Sequence, residues 1–265
     1  MDTQQKHPPA LQTGLVSVSY RNLNIDEIIA LALRAGLDSI EWGGDIHVPH
    51  GDESAAETAA VKTKSAGLTV SAYGSYYRLG ADLDTQKFTF SDTVRSTKKL
   101  GAKLIRVWAG NVDSALCSNE MRDKIIQDAL RCADTAAENN MQIAYEFHGG
   151  TLTDTNESAL NLLEQTEHPA VLCYWQPPPG KDPEYCLVGL RGIIERKKLA
   201  NIHVYYWVKG ERLLLRKGIP VWEKYITEIN KAAGSRTLSL EFSRENNPEH
   251  TVDDADALKQ IIGKK

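Results

Sequence analysis

The sequence predicts an α/β protein whose single domain is a (β/α)8 TIM barrel of parallel strands, and three observations lead to that fold class. Apolar segments typical of strands alternate with amphipathic segments typical of helices along nearly all of the 265 residues. A helix–turn–strand unit recurs in the first half at intervals of roughly 30 to 40 residues. Eight strands in about 250 residues favour a closed barrel over an open sheet, and the sequence has no phosphate-binding glycine loop.

The first repeated unit contains the local signals of a strand and a helix. Residues 14–20 alternate apolar and small polar side chains, which predicts a strand. Asn24 then caps a helix predicted over residues 25–35, and Gly36 supplies its left-handed end. A second strand is predicted over residues 37–42.

The same unit returns three times, at residues 64–73, 98–108 and 137–146. In the last copy asparagine stands where the others have glycine, a usual substitution in the left-handed conformation. The second half continues the alternation, with helices predicted at 158–166, 183–198, 220–233 and 251–262, and strands at 170–176, 201–207 and 237–242. No composition break divides the chain, so we expect a flexible tail over residues 1–13 and one catalytic barrel domain over residues 14–265.

Composition excludes several classes of protein. The net charge is −4 and no basic face is evident, which argues against a nucleic-acid partner. No apolar run reaches the roughly 20 residues of a membrane span, and residues 1–9 lack the apolar core of a signal peptide. The four cysteines have no CxxC spacing, which predicts reduced, mostly buried thiols in a cytoplasmic protein. The sequence leaves open whether the chain forms a homo-oligomer.

Aromatic residues gather where the strands are predicted to end, and the carboxyl ends of barrel strands form the active face. An aromatic wall there suits the C–H faces of a sugar ring, although each residue alone is equally well explained by packing under loops. The aromatic substrate-binding candidates are Trp42, Tyr73, Trp108, Trp175, Tyr205 and Trp207.

Four polar residues form a sharper pattern at the ends of the fifth to eighth strands: Glu146, Gln176, His203 and Glu241. Alternation places three of them in phase with small or polar neighbours, so they face the barrel interior. Two carboxylates and an imidazole that converge are what a divalent cation needs. Oxygen-rich ligation with one nitrogen favours Mn²⁺, or Mg²⁺, Co²⁺ or Fe²⁺, over structural zinc.

This pattern resembles the xylose-isomerase-like barrel superfamily of sugar-phosphate isomerases and epimerases, over residues 14–262. The local matches are residues 41–45, 145–151 and 240–242. The superfamily binds its metal through Glu, Asp, His and Glu on the last four strands. The resemblance therefore implies that Glu146, His203 and Glu241 are metal ligands, and that the two glutamates exchange the substrate proton.

Gln176 departs from the family, which usually has Asp at this position. A neutral amide leaves two anionic ligands instead of three, so we expect weaker metal retention and a stronger Lewis acid. The alternative is that Gln176 does not ligate and the site has lost its metal.

The resulting functional prediction is a metal-dependent sugar isomerase or epimerase that removes a proton next to a carbonyl and forms an enediolate. The alternative is an eliminating lyase or dehydratase that acts on an oxo-sugar, keto-glycoside or inosose through the same site. His148 either orients Glu146 or protonates a leaving oxygen. His47, Lys209 and Arg212 are further substrate-binding candidates, although most loop charges are simply solvated.

Two rival functions come from other classes. The same superfamily contains an endonuclease for abasic sites, but that enzyme needs more His and acidic ligands for three zinc ions and a basic DNA face. The second rival is a catalytically inactive sugar-binding accessory subunit, with Gln176 as the sign of a decayed site.

Overall fold

A computed structural model describes residues 10–264, and in it eight parallel strands close into a barrel. In chain order the strands are β1 (Leu11–Val16), β2 (Ser39–Gly43), β3 (Thr69–Arg78), β4 (Leu104–Trp108), β5 (Gln142–Glu146), β6 (Val171–Trp175), β7 (Leu199–Val204), β8 (Tyr206–Val208), β9 (Glu211–Leu213) and β10 (Arg236–Leu240). The barrel runs β1-β10-β7-β6-β5-β4-β3-β2, and β8 and β9 form a separate antiparallel pair. The predicted fold class is confirmed.

Helices follow the strands and cover the outside of the barrel. They are α1 (Ile25–Arg34), α2 (Glu53–Ser65), α3 (Leu83–Gln86), α4 (Phe90–Leu100), α5 (Asn119–Glu138), α6 (Asn156–Gln165), α7 (Pro183–Glu195), α8 (Ile219–Ile229) and α9 (Pro248–Ile261). The predicted cap of α1 is confirmed, because the Asn24 side chain accepts a hydrogen bond from the backbone N–H of Glu27. None of the helices in this part of the chain is both long and apolar enough to cross a membrane.

The first strand differs from its prediction at both ends. It begins at Leu11, because Thr13 donates backbone and side-chain hydrogen bonds to Asp38 and thereby ties this segment to the start of β2. It ends at Val16, and residues Ser17–Tyr20 form a 3₁₀ turn, so Tyr20 does not end a strand. Of the predicted tail, residues 1–9 lie outside the described residues.

The third strand is longer than predicted and irregular. Its pairing with β4 shifts between Gly74 and Tyr77, and Tyr76 within the shift has a φ of 54°. Left-handed backbone is unusual for a bulky residue and is typical of strained segments near functional sites. The shift carries the strand on to Arg78, so Tyr73 lies in mid-strand instead of at the strand end.

The two faces of the barrel wall have different compositions. Outward-facing side chains such as Ile40, Ile143 and Leu238 pack with the helices in the main hydrophobic core. The interior is narrow: a Cβ on Gly14 would lie 2.7 Å from the Ser239 hydroxyl. A small cluster of Ala72, Ala144, Tyr174 and Ala200 fills the inside below the polar mouth. The room for larger polar side chains therefore lies at the carboxyl ends of the strands.

Candidate functional site

Four polar side chains from consecutive barrel strands meet at the mouth. Glu146 ends β5, Gln176 follows β6, His203 lies near the end of β7 and Glu241 follows β10. The Nδ1 atom of His203 is 3.6 Å from Glu146 Oε1, 3.5 Å from Glu241 Oε2 and 3.0 Å from Gln176 Oε1. All four residues are buried, with His203 completely so. The sequence-predicted set is thus brought together around one ring nitrogen.

The geometry of this cluster fits a divalent cation. One ligand atom each from Glu146, His203 and Glu241 lies within 4.8 Å of the other two. Atoms bound to one ion at about 2.0–2.3 Å are separated by roughly 3 to 4.6 Å, so only small side-chain movements are needed. Two carboxylates and an imidazole are also a suitable donor set for Mn²⁺ or Mg²⁺.

Gln176 is oriented with its oxygen toward the cluster. Its Nε2 donates a hydrogen bond to the backbone oxygen of Phe147 at 2.8 Å, which turns Oε1 toward His203. An amide oxygen is a common ligand of hard cations. Gln176 is therefore positioned as a fourth ligand, and its role stays a prediction.

Two charged residues that the sequence analysis did not select complete the mouth. Glu41 on β2 accepts a hydrogen bond from His203 Nε2 at 3.2 Å and one from Arg106 Nε at 2.7 Å. Arg106 on β4 also donates through Nη1 to Glu146 Oε2. Glu41 and Arg106 are 0% and 1% exposed, so they form a dry ion network that joins His203 to Glu146.

The network shifts the ionisation of its members. Burial disfavours the charged form of His203, but Glu241, Glu41 and Glu146 outweigh it and raise the His203 pKa to about 10. Burial alone would raise the pKa of Glu41, but the positive charges of Arg106 and His203 lower that pKa to about 2. The same balance, led by Arg106, lowers the pKa of Glu146, whereas burial raises the pKa of Glu241. A cation that binds His203 must therefore displace a proton from it.

Trp108 and His148 form the wall next to Glu146. Their rings stack with centroids 4.7 Å apart, and Trp108 Nε1 donates a hydrogen bond to Glu146 Oε2. The guanidinium of Arg78 also lies over the Trp108 ring, 4.8 Å from its centroid. Trp108 and His148 are both half-buried, so they are available to a substrate above the cluster.

Four other predicted substrate contacts lie outside the barrel wall. Trp42 donates to Thr63 on α2, and Trp175 packs edge-on against Trp222 and Tyr225 of α8. The hydroxyl of Tyr73 donates a hydrogen bond to the backbone oxygen of Val48, and Nε2 of His47 is hydrogen-bonded to the backbone oxygen of Leu23. Alternation points Trp42, Tyr73 and Trp175 away from the interior, and His47 is buried in the turn after β2. The structure does not bring Trp42, His47, Tyr73 or Trp175 to the mouth.

The remaining candidates follow β7. Tyr205 donates a hydrogen bond to the backbone oxygen of Pro177, and its ring lies 4.7 Å from that of Trp207. Arg212 is about 5 Å from the ring centres of both Trp207 and Phe242. A cavity of about 340 Å³ opens behind Tyr205, lined by Pro177, Trp207, Lys209, Trp222 and Tyr225 among others. Lys209 is exposed at its edge.

A signal for the missed residues was present in the alternation. Glu41 is two residues from Ser39, and Arg106 is two residues from Trp108, so each shares the inward face with a polar or strand-end neighbour. The criterion of closeness to a predicted strand end favours Trp42 over Glu41, which precedes it in the same strand. Alternation alone does not reveal that Glu41 and Arg106 pair across β3, since this requires the closed barrel.

Comparison with known proteins agrees with this architecture. The family model described as xylose isomerase-like TIM barrel matches residues 29–261. The 3-dehydroshikimate dehydratase of Bacillus anthracis is 25% identical, in an alignment that covers 83% of this chain and 87% of the relative.

Solved structures show the same fold. The structure of the probable 3-DHS dehydratase AsbF from Bacillus anthracis superposes with a TM-score of 0.73 at 18% identity, over 94% of this chain and 98% of that one. The structure of the IOLI protein, which contains a bound zinc atom, has a TM-score of 0.70 at 16% identity, over 95% and 98%.

Proposed function

The chain belongs to the xylose isomerase-like TIM-barrel family, and on this premise we propose that it is a divalent-metal-dependent enzyme acting on a sugar or keto-sugar. The reaction removes a proton from the carbon next to a carbonyl group. Return of a proton to the opposite face of the carbon, or to the next carbon, gives an epimerase or an isomerase.

The observation that carries this proposal is the convergence of Glu146, Glu241 and Gln176 on Nδ1 of His203. Buried carboxylates that share one small space repel each other and are retained where a cation or a reaction needs them. These residues would hold the cation, and Mn²⁺ is the ion we propose for them. When bound, the cation supplies polarisation of the substrate carbonyl and charge stabilisation on its oxygen.

The two glutamates have different surroundings and therefore different tasks. Oε2 of Glu146 accepts hydrogen bonds from Arg106 and Trp108, which fix the carboxylate and reduce its basicity. Within residues 10–264, His203 is the only basic side chain within 4 Å of the Glu241 carboxylate. Glu241 is thus the better proton acceptor, and Glu146 is the better-fixed ligand. In an epimerase, Glu146 in its protonated form would deliver a proton to the other face, and the proton taken by Glu241 would pass to solvent.

Elimination is the second candidate reaction, and the dehydratase relative favours it. After Glu241 has taken the proton, loss of a β-oxygen requires a group that protonates the leaving oxygen. His148 is suited to that task, because it is half-buried, stacked on Trp108 and two residues from Glu146. A keto-sugar with a hydroxyl or glycosidic oxygen at the β position would react in this way.

Metal analysis and solvent exchange test the proposal together. We expect about one Mn²⁺ per chain after loading, and deuterium from solvent to enter the carbon next to the carbonyl in a panel of keto-sugars, read by NMR. Deuterium in a new epimer or isomer indicates epimerisation or isomerisation, and loss of water or of an alcohol indicates elimination. Exchange without a new product indicates proton removal and return at the same position.

Glu228→Gln is the matched control, since Glu228 on α8 is a carboxylate that pairs with Arg191 and Lys231 far from the mouth. Glu146→Gln should abolish exchange, whereas Glu228→Gln should preserve it. A protein that binds no divalent metal under any loading condition would instead be the sugar-binding accessory subunit.

A further inference from the structure

Glu41 and Arg106 are charged residues of the mouth that take no direct part in the proposed proton transfer. Each of them contacts a proposed ligand, and both are buried below the open space of the mouth. Glu41 accepts a hydrogen bond from His203 Nε2, and Arg106 donates one to Glu146 Oε2. A direct pair between Arg106 Nε and Glu41 Oε1 at 2.7 Å closes the chain of contacts.

The contact with Glu41 decides which nitrogen of His203 is free. The nitrogen that donates to a carboxylate keeps its proton, and the other nitrogen is left to bind a metal. Since Nε2 keeps its proton on Glu41, the proton that a cation displaces is the one on Nδ1, and the lone pair left there faces Glu146, Glu241 and Gln176. Arg106 acts on Glu146 in the same sense, because it occupies Oε2 and leaves Oε1 directed at His203.

The network also balances charge. Once a cation has displaced the proton of His203, Glu41, Glu146 and Glu241 carry three negative charges and Arg106 carries one positive charge, which leaves two negative charges for a divalent cation. Gln176 contributes none. The carboxylate that this chain lacks among the ligands is therefore present one contact further out, on Glu41.

The neighbouring strand is shaped to admit this network. A Cβ on Gly74 of β3 would lie 2.6 Å from Arg106 Nη2 and 2.8 Å from Glu41 Oε1. Any side chain at this position would displace the ion pair, so the glycine lets the guanidinium lie against the strand.

We propose that Glu41 and Arg106 are positioning residues for the cation: Glu41 directs Nδ1 of His203 inward and supplies the charge that Gln176 lacks, and Arg106 fixes Glu146. The inference rests on the proposed function, because it assumes that a cation binds at His203. Neither residue touches the substrate in this scheme.

Calorimetric titration of Mn²⁺ into the wild type and the Glu41→Gln variant tests the proposal. We expect the variant to bind Mn²⁺ about 10- to 100-fold more weakly. Introducing Gln176→Asp into the same variant should recover at least part of the affinity, since it returns one negative charge to the cluster. Asp38→Asn is the control, because Asp38 pairs with Thr13 and Lys264 at the opposite end of the barrel.

A second readout separates positioning from a general loss of stability. The second readout is an NMR spectrum of Zn²⁺-loaded protein labelled with ¹⁵N-histidine. The signal of His203 is assigned as the one missing from the spectrum of His203→Asn, and it should show a protonated Nε2 and a metal-bound Nδ1. In Glu41→Gln its Nε2 proton should shift upfield, and in Asp38→Asn it should not.

The outcomes distinguish this proposal from the proposed function. Equal Mn²⁺ affinity of the folded Glu41→Gln variant and the wild type overturns the positioning role and leaves the proposed function standing. Weaker binding by the variant, with no proton exchange in any keto-sugar, supports the positioning role and contradicts the proposed reaction. A wild type that binds no divalent metal overturns both.

Discussion

Trp108 and Trp175 both end a strand of the barrel, yet they lie on opposite sides of its wall. Trp108 points inward, where it donates a hydrogen bond to Glu146 and stacks on His148. Trp175 points outward and packs against Trp222 of α8. The comparison teaches that closeness to the active face does not determine whether a residue reaches the site. That depends on the side of the strand to which its side chain points, because consecutive residues of a strand face opposite sides.

Glu41 and Trp42 repeat the comparison within two consecutive residues. The carboxylate faces the interior and joins the ion network, while the indole packs outside against α2. Charges inside the wall are stabilised by opposite charges within hydrogen-bond reach, and aromatic rings outside are stabilised by burial. Substitutions on the two sides should therefore change different measured quantities.

The largest effect is expected inside, at the proposed base. Glu241→Gln removes the proton acceptor, so the rate of solvent exchange should fall by about 10²- to 10⁴-fold at saturating Mn²⁺. Its free energy of unfolding should change little, since one member of a group of like charges is removed. The rate is read by NMR and the unfolding free energy by urea titration. An exchange rate within threefold of the wild type would show that another residue takes the proton.

The two tryptophans provide the next test. Trp175→Ala leaves a cavity between β6 and α8, and should lower the free energy of unfolding by about 3–5 kcal/mol. Trp108→Ala removes a half-buried ring and should cost about 1–2 kcal/mol. Urea unfolding followed by circular dichroism at 25 °C measures both values.

Activity should rank the same two variants in the opposite order. The folded fraction of Trp175→Ala should bind substrate as the wild type does, whereas Trp108→Ala should raise KM and lower kcat, because it also loses its hydrogen bond to Glu146. If both variants lost stability equally and neither changed KM, the contrast between the two sides of the wall would be wrong.

The sequence predicted the barrel and the convergence of the proposed ligands because both follow from local periodicity. Alternation within each strand indicated that Glu146, His203 and Glu241 face inward, and the alternation of strands with helices predicted a barrel in which the ends of their strands meet. The ends of β1 and β3 were not predictable in this way. The prediction that the first strand reaches Tyr20 is wrong, because β1 ends at Val16, and the left-handed residue Tyr76 lies where β3 continues beyond its predicted end. Both features depend on contacts between residues far apart in the sequence.

Buried carboxylates extend the comparison to pH dependence. Inside, cations lower the pKa of Glu41 to about 2, whereas Asp254 on α9 lies outside and its burial raises the pKa to about 6. A raised folded-state pKa contributes stability that is complete below the unfolded pKa of about 4 and is lost as pH rises through 6. Asp254→Asn keeps an oxygen for the backbone N–H of Leu215 and removes this loss.

The free energy of unfolding of the variant should therefore be about 1–2 kcal/mol higher than that of the wild type at pH 7.5. Below pH 4 the two proteins should be equally stable. Urea titrations at pH 4, 6 and 7.5 measure the difference. A variant that is less stable than the wild type at pH 7.5 would mean that the Asp254 charge is compensated by a partner.

The smallest effect concerns a single unit of charge among the ligands. Gln176→Asp places a third carboxylate beside His203 and Glu241, so Mn²⁺ should bind about tenfold more tightly, which corresponds to about 1.4 kcal/mol. The added charge also makes the cation a weaker Lewis acid, so exchange should become slower at saturating Mn²⁺. Titration calorimetry and the exchange rate together give both changes. Tighter binding with faster exchange would show that the amide limits metal retention without strengthening the Lewis acid. Gln176→Glu controls for the position of the charge, because its side chain has the length of glutamine and places the carboxylate one methylene further out than aspartate does.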